Sequence, residues 1–393
     1  MAAVAHRIPR RFRTSGEQFV EGSTVRYLRD GAQAYPAMLE AIAGAREQVL
    51  LEMYWFGSDR TGRRFAEALM ERAQAGVEVA LLYDALGSID ASEGMFDELR
   101  AAGVRVHEFN PVAPWRRRFR LDRLQVRDHR KILVVDGVVG FTGGINIGDP
   151  WAPEAEGGGG WRDDGICLEG PAVETMRILL ERTWIGQGQH ELRRPLREVE
   201  LSGPSARIRV LGETVPLGLR RGPRLRRHIR RAYLSRIYQA KKRVWLSNSY
   251  FVPDPIVLRA LRRAGKRGVD VRILVPGTSD VPATKWAGRA TYSRLLRAGV
   301  RIFEWGGNVL HAKSAVIDGH WTTIGSYNLD YRSLRYNLEV NVAVDDEGFA
   351  HQVEESLAED QRASQEIDRA TWATRPLGHR FLERLCYYFR TIL

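Results

Sequence analysis

Two copies of one short motif hold the residue types in this sequence that are best suited to chemistry. Each copy has a lysine two residues after a histidine and an aspartate five residues after the lysine: His129, Lys131 and Asp136, then His311, Lys313 and Asp318. An asparagine lies 17 residues after each histidine, at Asn146 and Asn328. A single histidine–lysine pair is usually a solvated strand edge. The same residues repeated at a fixed spacing predict one shared functional site.

The choice of lysine over arginine supports this prediction. The chain has 60 Lys and Arg residues, of which only six are lysine, and two of those six lie at the same position of the two motifs. A compact ammonium group fits a phosphoryl oxygen in a narrow pocket better than a planar guanidinium group does. The motif lysines therefore indicate a substrate that contains phosphate.

Two histidines beside one phosphodiester can divide the chemistry of group transfer between them. One can attack phosphorus to form a phosphohistidine, while the other protonates the leaving alkoxide. The two lysines are predicted to hold the non-bridging oxygens, where charge is shared in the transition state. Asn146, Asn328 and Ser326 are predicted to bind these oxygens or to orient other groups of the site. This chemistry requires neither a metal nor another cofactor, and none is expected.

Four acidic residues accompany the motifs. Asp163 and Glu339 each begin an apolar strand at a similar distance past a motif, so each is a candidate to fix the tautomer of a histidine. The alternative for both is an exposed acid at a strand end. Asp136 and Asp318 are each followed by glycine, a pair typical of hairpin turns. They are predicted as catalytic or orienting residues, with a role as turn formers alone left open.

The elements that must position these residues are repeated as well. Leu99–Phe109 resembles Leu295–Trp305, and similar segments precede both. Each half is predicted to run strand, helix, strand, helix, strand and then the motif, whose histidine and lysine share one strand face. This alternation predicts an α/β fold of two homologous α/β/α-layered domains, residues 23–200 and 206–370, packed about a pseudo-twofold axis.

The segments outside the two domains and the overall charge suggest the kind of partner. Residues 1–22 are predicted to form a basic, disordered arm, and residues 376–393 a C-terminal amphipathic helix. The net charge of +12 indicates an anionic partner. Cys167 and Cys386 provide no disulfide framework and no metal-ligand spacing. No apolar stretch approaches the length of a membrane span.

Both motif copies resemble the phospholipase D superfamily and match its signature, H-x-K-x4-D-x6-G-[GS]-x-N, in full. Blocks around Trp161–Asp163 and Asn328–Glu339 resemble the bacterial cardiolipin synthase branch, in the short form without N-terminal transmembrane helices. The resemblance implies that phosphatidylglycerol gives its phosphatidyl group to a histidine, releases glycerol, and passes the group to a second phosphatidylglycerol. It implies His129 as nucleophile and His311 as general acid, although the pseudo-symmetry permits the reverse. Gly144 stands where many family members have serine.

Aromatic and basic segments are predicted to bring the protein to an anionic membrane surface. The predicted membrane contacts are Trp115, Arg116, Arg117 and Phe119 in the loop before the first motif, and Phe381 and Leu385 in the C-terminal helix. Cationic amphipathic segments bind such surfaces. Docking of the C-terminal helix on the protein's own core is the alternative. The expected location is peripheral, on the cytoplasmic face of the bacterial inner membrane.

Three other functions stay open on sequence alone. A phospholipase D hydrolase would use the same site with water as the acceptor. A nuclease of the same superfamily would suit the positive charge, but the aromatic loop and amphipathic helix disfavour a nucleic-acid partner. A lipid-binding module without activity would not require both histidines. The acceptor of the phosphatidyl group and the oligomeric state are not predicted.

Overall fold

The computed structural model describes residues 18–116, 118–195, 205–213 and 228–392. Most of the predicted N-terminal arm therefore lies outside the described residues. The first strand already begins at Val20, three residues before the predicted start of the first domain. No described helix has both the length and the apolar composition that crossing a membrane requires.

The first half alternates strands and helices in the predicted order. Its strands are β1 (Val20–Arg29), β2 (Gln48–Met53), β3 (Glu78–Asp84), β4 (Arg105–Phe109), β5 (Arg127–Asp128), β6 (Lys131–Val135), β7 (Val139–Gly143) and β8 (Asp164–Glu169). Its α-helices are α1 (Asp30–Ala43), α2 (Arg60–Gln74), α3 (Glu93–Ala101) and α4 (Ala172–Gly186). Short 3-10 turns span Leu121–Arg123, Asp149–Trp151 and Glu154–Glu156.

The second half repeats this order. Its strands are β9 (Ala206–Gly212), β10 (Arg243–Asn248), β11 (Asp270–Pro276), β12 (Arg301–Trp305), β13 (Lys313–Ile317), β14 (Trp321–Gly325), β15 (Asn337–Leu338), β16 (Val340–Asp345) and β17 (Ser364–Glu366). Its helices are α5 (His228–Gln239), α6 (Pro255–Lys266), α7 (Pro282–Arg289), α8 (Tyr292–Leu296), α9 (Tyr331–Arg335), α10 (Glu347–Arg362), α11 (Arg369–Ala373) and α12 (Leu377–Tyr388).

Hydrogen bonds join both halves into one sheet. Over the described residues its order is β17-β12-β11-β10-β13-β14-β16-β9-β1-β8-β7-β6-β2-β3-β4. Apart from β17, equivalent strands lie at equal distances on either side of the central β9–β1 pair. In addition, β14 and β16 pack against β7 and β8. The predicted α/β fold of two homologous halves related by a pseudo-twofold axis is confirmed.

Strands such as β2 and β6 are mostly apolar because both of their faces are buried. In β2, Leu50 faces a central core between the halves, whereas Val49 and Leu51 face an outer core. Helices α4 and α10 fill the central core, and α1 to α3 cover the outer face of the first half. Helices α5, α6 and α8 cover the outer face of the second half. Continuous apolar strands are typical of sheets that are covered on both sides.

A tight hairpin follows β6 and β13, the strands that begin at the motif lysines. Asp136 and Gly137 join β6 to β7 with φ angles of 51° and 69°, and Asp318 and Gly319 join β13 to β14 with φ angles of 55° and 77°. Glycine and aspartate are among the residues that tolerate this left-handed region. The backbone of the turn therefore explains the Asp-Gly sequence in both copies.

The turn aspartates also tie each hairpin to the start of the neighbouring strand of the sheet, β2 in the first half and β10 in the second. The Asp136 carboxylate accepts the backbone N–H groups of residues 46–48 at 2.8 to 3.2 Å. Asp318 accepts those of residues 241–243 at 2.7 to 3.2 Å. At the rise of an extended strand, Asp136 lies roughly 20 Å along the chain from His129. Both contacts and distance therefore support a structural role for the two aspartates, which we propose in place of a catalytic one.

Replacement of Asp136 by alanine is expected to lower the free energy of unfolding. The N–H groups of residues 46–48 lose their acceptor, and each buried group left unsatisfied costs about 1–3 kcal/mol. Urea unfolding followed by circular dichroism measures the change. Asp97→Ala, which breaks only an exposed pair with Arg100, is the control, with an expected effect below about 0.5 kcal/mol. An Asp136→Ala protein of unchanged stability that lacked activity would contradict the structural role.

Candidate active site

Each motif histidine precedes a strand and is held there by a segment of the other half. Strand β5 pairs in parallel with β15, and the next residue, His129, donates its backbone N–H to the oxygen of Leu338 at 3.0 Å. In the second copy Leu310 forms a bridge with Arg162, and the N–H of His311 donates to the oxygen of Arg162 at 2.7 Å. These two pairings bring both motifs to the contact between the halves.

The same pairings place a carboxylate beside each histidine, and each carboxylate comes from the opposite half. Nδ1 of His129 lies 3.0 Å from Glu339, and Nδ1 of His311 lies 2.7 Å from Asp163. A carboxylate at Nδ1 fixes the tautomer and leaves Nε2 to react. Both acids are 0% exposed, so neither is the exposed strand-end acid that the sequence also allowed.

Three polar side chains hold Glu339 in place. Ser326 and Ser333 donate their hydroxyls to it, the latter at 2.7 Å, and Asn337 donates from Nδ2 at 3.3 Å. Ser326 was predicted to bind a phosphate oxygen or to orient another group. Its bond to the carboxylate supports the orienting role.

Asp163 is held differently, and this difference explains Gly144. The indole Nε1 of Trp151 donates to Asp163 at 2.8 Å. A Cβ atom added to Gly144 would lie only 2.1 Å from Oδ1 of Asp163. The first half therefore has glycine where the second half has Ser326, because the shorter acid takes the space that the serine side chain would need.

Lys131 and Lys313 are buried close to the histidines. Nζ of Lys131 donates to the backbone oxygen of His129 at 2.8 Å, and Nζ of Lys313 donates to that of His311. Burial, together with the charge of Lys313, lowers the pKa of Lys131 to about 7, and burial lowers the pKa of Lys313 to about 8. An anion close to these ammonium groups stabilises their charged forms.

The surroundings of both imidazoles favour their neutral forms. Burial lowers the pKa of His129 to about 4. Burial and the neighbouring Lys313 also lower the pKa of His311 below its usual value. With Nδ1–H directed at a carboxylate, Nε2 of a neutral histidine has the lone pair that a nucleophile needs.

Both histidines line a single cavity of about 260 Å³. Its walls contain five aromatic side chains: Tyr54, Trp55, Trp151, Trp161 and Tyr250. The ring centroids of Tyr54 and His129 are 4.8 Å apart, and those of Trp151 and His311 are 5.2 Å apart. The cavity therefore combines the two imidazoles with five aromatic side chains in a lining that also contains charged and amide side chains.

The motif asparagines also line this cavity. Oδ1 of Asn146 accepts the backbone N–H of Trp55 at 3.2 Å, and Oδ1 of Asn328 accepts the hydroxyl of Ser249 at 2.8 Å. With the oxygen engaged in this way, the amide nitrogen is the group that can donate to a ligand. The geometry thus agrees with their predicted role as donors to phosphate oxygens.

The sequence prediction missed several residues of the cavity. Tyr54 and Tyr250 stand at equivalent positions after β2 and β10, so the internal repeat gave a signal for them. Trp151 follows the first motif in a glycine-rich loop, where no local pattern marked it. Arg127 and Arg332 bring positive charge to the wall, but arginine is too common in this chain to single them out.

The residues predicted to contact a membrane are variably exposed. Trp115 is 85% exposed, whereas Phe119 is half-buried. Arg116 pairs with Glu93, and Arg117 lies outside the described residues. Phe381 and Leu385 are exposed on α12.

Over the described residues, no group of three or more His, Cys, Asp or Glu side chains is arranged to bind a metal ion.

Comparison with known proteins assigns the family. Residues 38–152 and 233–361 match the family model described as cardiolipin synthase, PLD-like domain. The chain belongs to this cardiolipin synthase family. Cardiolipin synthase of Geobacillus thermodenitrificans is 35% identical over 91% of this chain and 70% of that protein. Cardiolipin synthase 1 of Staphylococcus aureus is 33% identical over 95% of this chain and 74% of that protein.

Solved structures agree with the fold of this family. Phosphatidylserine synthase of Haemophilus influenzae covers 94% of this chain and 95% of its own, with a TM-score of 0.67 and 14% identity. Polyphosphate kinase of Porphyromonas gingivalis covers 86% of this chain and 50% of its own, with a TM-score of 0.54 and 14% identity. The predicted resemblance to the cardiolipin synthase branch is confirmed, and the protein is an enzyme of the phosphatidyltransferase class.

Replacement of Glu339 by glutamine is expected to lower turnover by roughly 100-fold, because loss of a supporting carboxylate has effects of this order. The neutral amide keeps the shape of the side chain but cannot stabilise charge on His129. Phosphatidyl transfer from labelled phosphatidylglycerol measures the loss. Glu359→Gln, at a half-exposed side chain, is the matched control. Unchanged turnover in Glu339→Gln would contradict the role of the crossed carboxylate.

Proposed function

We propose that the protein makes cardiolipin from two molecules of phosphatidylglycerol, releasing glycerol, through a phosphohistidine intermediate. The observation that carries this proposal is the single cavity lined by two histidines, each held through Nδ1 by a buried carboxylate. A nucleophile and an acid thereby face the same substrate. The relatives named as cardiolipin synthases support the choice of lipid.

In the first step Nε2 of His129 attacks the phosphorus of phosphatidylglycerol. The phosphorus–oxygen bond to glycerol breaks, and protonated His311 gives its proton to the departing oxygen. The negative charge of the bound phosphodiester raises the pKa of His311 and so favours the protonated form. The products are glycerol and a phosphatidyl group bound to His129. The symmetry of the site permits the opposite assignment of the histidines.

In the second step a head-group hydroxyl of another phosphatidylglycerol attacks the same phosphorus. His311 takes the proton of that hydroxyl, and the bond between phosphorus and His129 breaks. Cardiolipin leaves and both histidines return to their starting state. Water in place of the lipid hydroxyl would give phosphatidic acid, so hydrolysis is the alternative outcome of the same chemistry.

The cations and amides of the site complement the charge that develops during both steps. Lys131 and Lys313 provide two buried ammonium groups, and Asn146 and Asn328 provide amide donors. Preorganised donors at the non-bridging oxygens stabilise the transition state without reorganisation. We also propose that the enzyme works as a peripheral protein on the cytoplasmic face of the membrane. The exposed Trp115 and the apolar side of α12 support the contact with a membrane.

Replacement of either motif histidine by alanine is expected to reduce cardiolipin formation by about 1000-fold or more, since each step then lacks its nucleophile or its acid. The products from phosphatidylglycerol are separated as cardiolipin and phosphatidic acid. His351→Ala, at an exposed histidine of α10, is the control and should keep full activity. Cardiolipin formation that survives in both His129→Ala and His311→Ala would exclude the mechanism. Phosphatidic acid as the main product of the parent protein would favour hydrolysis.

The pH dependence of kcat/KM should report the free enzyme. Below the depressed pKa of about 4, His129 becomes protonated and loses its lone pair, so kcat/KM falls on the acidic side. On the alkaline side the free enzyme first loses the proton of His311, because burial and Lys313 lower the pKa of that imidazole below its usual value. Above the pKa of about 7, Lys131 also loses its charge, so phosphate binding weakens as well. The bound phosphodiester raises the lysine pKa, so kcat should fall at higher pH than kcat/KM does. Coincident alkaline limbs for kcat and kcat/KM would contradict this assignment.

A further inference from the structure

A second cavity, of about 610 Å³, lies outside the active site among α8, α11 and α12. We call it the arginine cleft, because six of its lining residues are arginine: Arg294, Arg297, Arg369, Arg375, Arg380 and Arg384. Glu383 is the single carboxylate among the lining residues. This excess of positive charge is much larger than in the active-site cavity.

The one carboxylate is already neutralised within the protein. Arg375 donates to Glu383 at 2.7 Å, and Nε of Arg289 lies 3.9 Å from the same carboxylate. Glu383 is 1% exposed. In the part of the chain that the structure describes, the other five arginines of the cleft form no ion pair with a carboxylate. Guanidinium groups gathered in one cleft attract an anion, and they bind phosphate oxygens in a bidentate manner.

An exposed apolar stripe runs along α12 beside the cleft. Leu377, Phe381, Leu385 and Tyr388 are 76%, 69%, 44% and 75% exposed. Their spacing of four, four and three residues places them on one side of the helix. Arg380 and Arg384 precede Phe381 and Leu385 by one residue each, so the cleft face lies directly next to the stripe. Such an arrangement is typical of helices that lie in a membrane interface.

Helix α12 is also connected to the active-site cavity through α7. It packs against α7, with the rings of His379 and Trp286 in edge contact at 5.3 Å. Val281 and Thr284, at the start of α7, line the active-site cavity. A lipid surface that meets α12 therefore lies close to the cavity that must receive lipid.

We propose that the arginine cleft binds the phosphate head group of an anionic phospholipid other than the one being converted, with its acyl chains along the apolar stripe of α12. The apolar stripe favours a lipid over a soluble phosphate. The arginine cleft complements the charge of a lipid head group, and the adjacent stripe complements its acyl chains. The inference rests on the proposed function in one respect: an enzyme that converts membrane lipids must turn its active site towards a lipid surface. The bound lipid would hold the enzyme on an anionic membrane in that orientation.

The test is binding of the full protein to vesicles of phosphatidylglycerol in phosphatidylcholine, measured by cosedimentation. The double variant Arg294→Gln with Arg380→Gln removes two half-buried cations of the cleft. Its affinity for these vesicles should fall by about 30-fold, from the usual contribution of a cation near an anionic surface. Turnover of a soluble short-chain phosphatidylglycerol should remain at the parent level, because neither residue lines the active-site cavity.

The matched control is the double variant Arg64→Gln with Arg182→Gln, at exposed arginines of α2 and α4. It changes the net charge equally and should reduce vesicle affinity by less than about threefold. Equal losses in both double variants would indicate diffuse charge and overturn the proposal. Unchanged affinity of the cleft variant, with an unchanged thermal midpoint, would also overturn it. The measured quantity is vesicle binding and not product formation, so absence of cardiolipin formation by the parent would reject the proposed function and leave the cleft proposal standing.

Discussion

Two short parallel pairings between the halves are the constraint on which the active site depends. One joins β5 to β15, and the other joins Leu310 to Arg162. The first pairing aligns Asp128, which precedes His129, with Leu338, which precedes Glu339. The second aligns Leu310, which precedes His311, with Arg162, which precedes Asp163. Because side chains alternate along extended backbone, a slip of one residue would turn the acid away from the histidine. The tautomer of each imidazole is therefore set by the way in which the two halves pack.

The same packing concentrates charge in a buried place. Two lysines, two histidines and two carboxylates lie at the contact between the halves, and burial lowers the pKa of both lysines. Removal of these groups from water opposes their charged forms unless an opposite charge is near. A phosphodiester supplies that opposite charge. Bound substrate therefore stabilises the ammonium groups of Lys131 and Lys313 and the protonated imidazole of His311. Substrate binding is in this way coupled to the protonation of His311 that the first step needs.

The sequence predicted those parts of the fold and site that depend on local pattern. The alternation of apolar strands and amphipathic helices predicted the α/β halves, and the motif spacing predicted which histidines and lysines share a site. Asp163 and Glu339 were found because each begins an apolar strand. Their exchange between the halves was not predictable, because Glu339 and His129 are 210 residues apart and meet only through tertiary packing.

Other residues were ambiguous for physical reasons of their own. Asp136 suits a hairpin turn whether or not it takes part in chemistry, and its bonds to residues 46–48 and its distance from His129 distinguish the two roles. Trp151 lies in a loop with no periodic pattern, so its bond to Asp163 could not be foreseen. Exposure of the α12 stripe likewise depends on which face of the helix docks on α7, and the sequence left open whether the apolar side would be buried.

The exchange of carboxylates bears on the history of the chain. A single ancestral half with this geometry would have been incomplete, since its histidine lacked an acid until a second copy supplied one. In this chain both halves are present at a fixed ratio of one to one, so each histidine always has its acid. Identity between the copies was then no longer required. The two histidines accordingly have different surroundings: Asp163 and Gly144 accompany His311, and Glu339 and Ser326 accompany His129. This difference allows the two imidazoles to have different roles in the reaction.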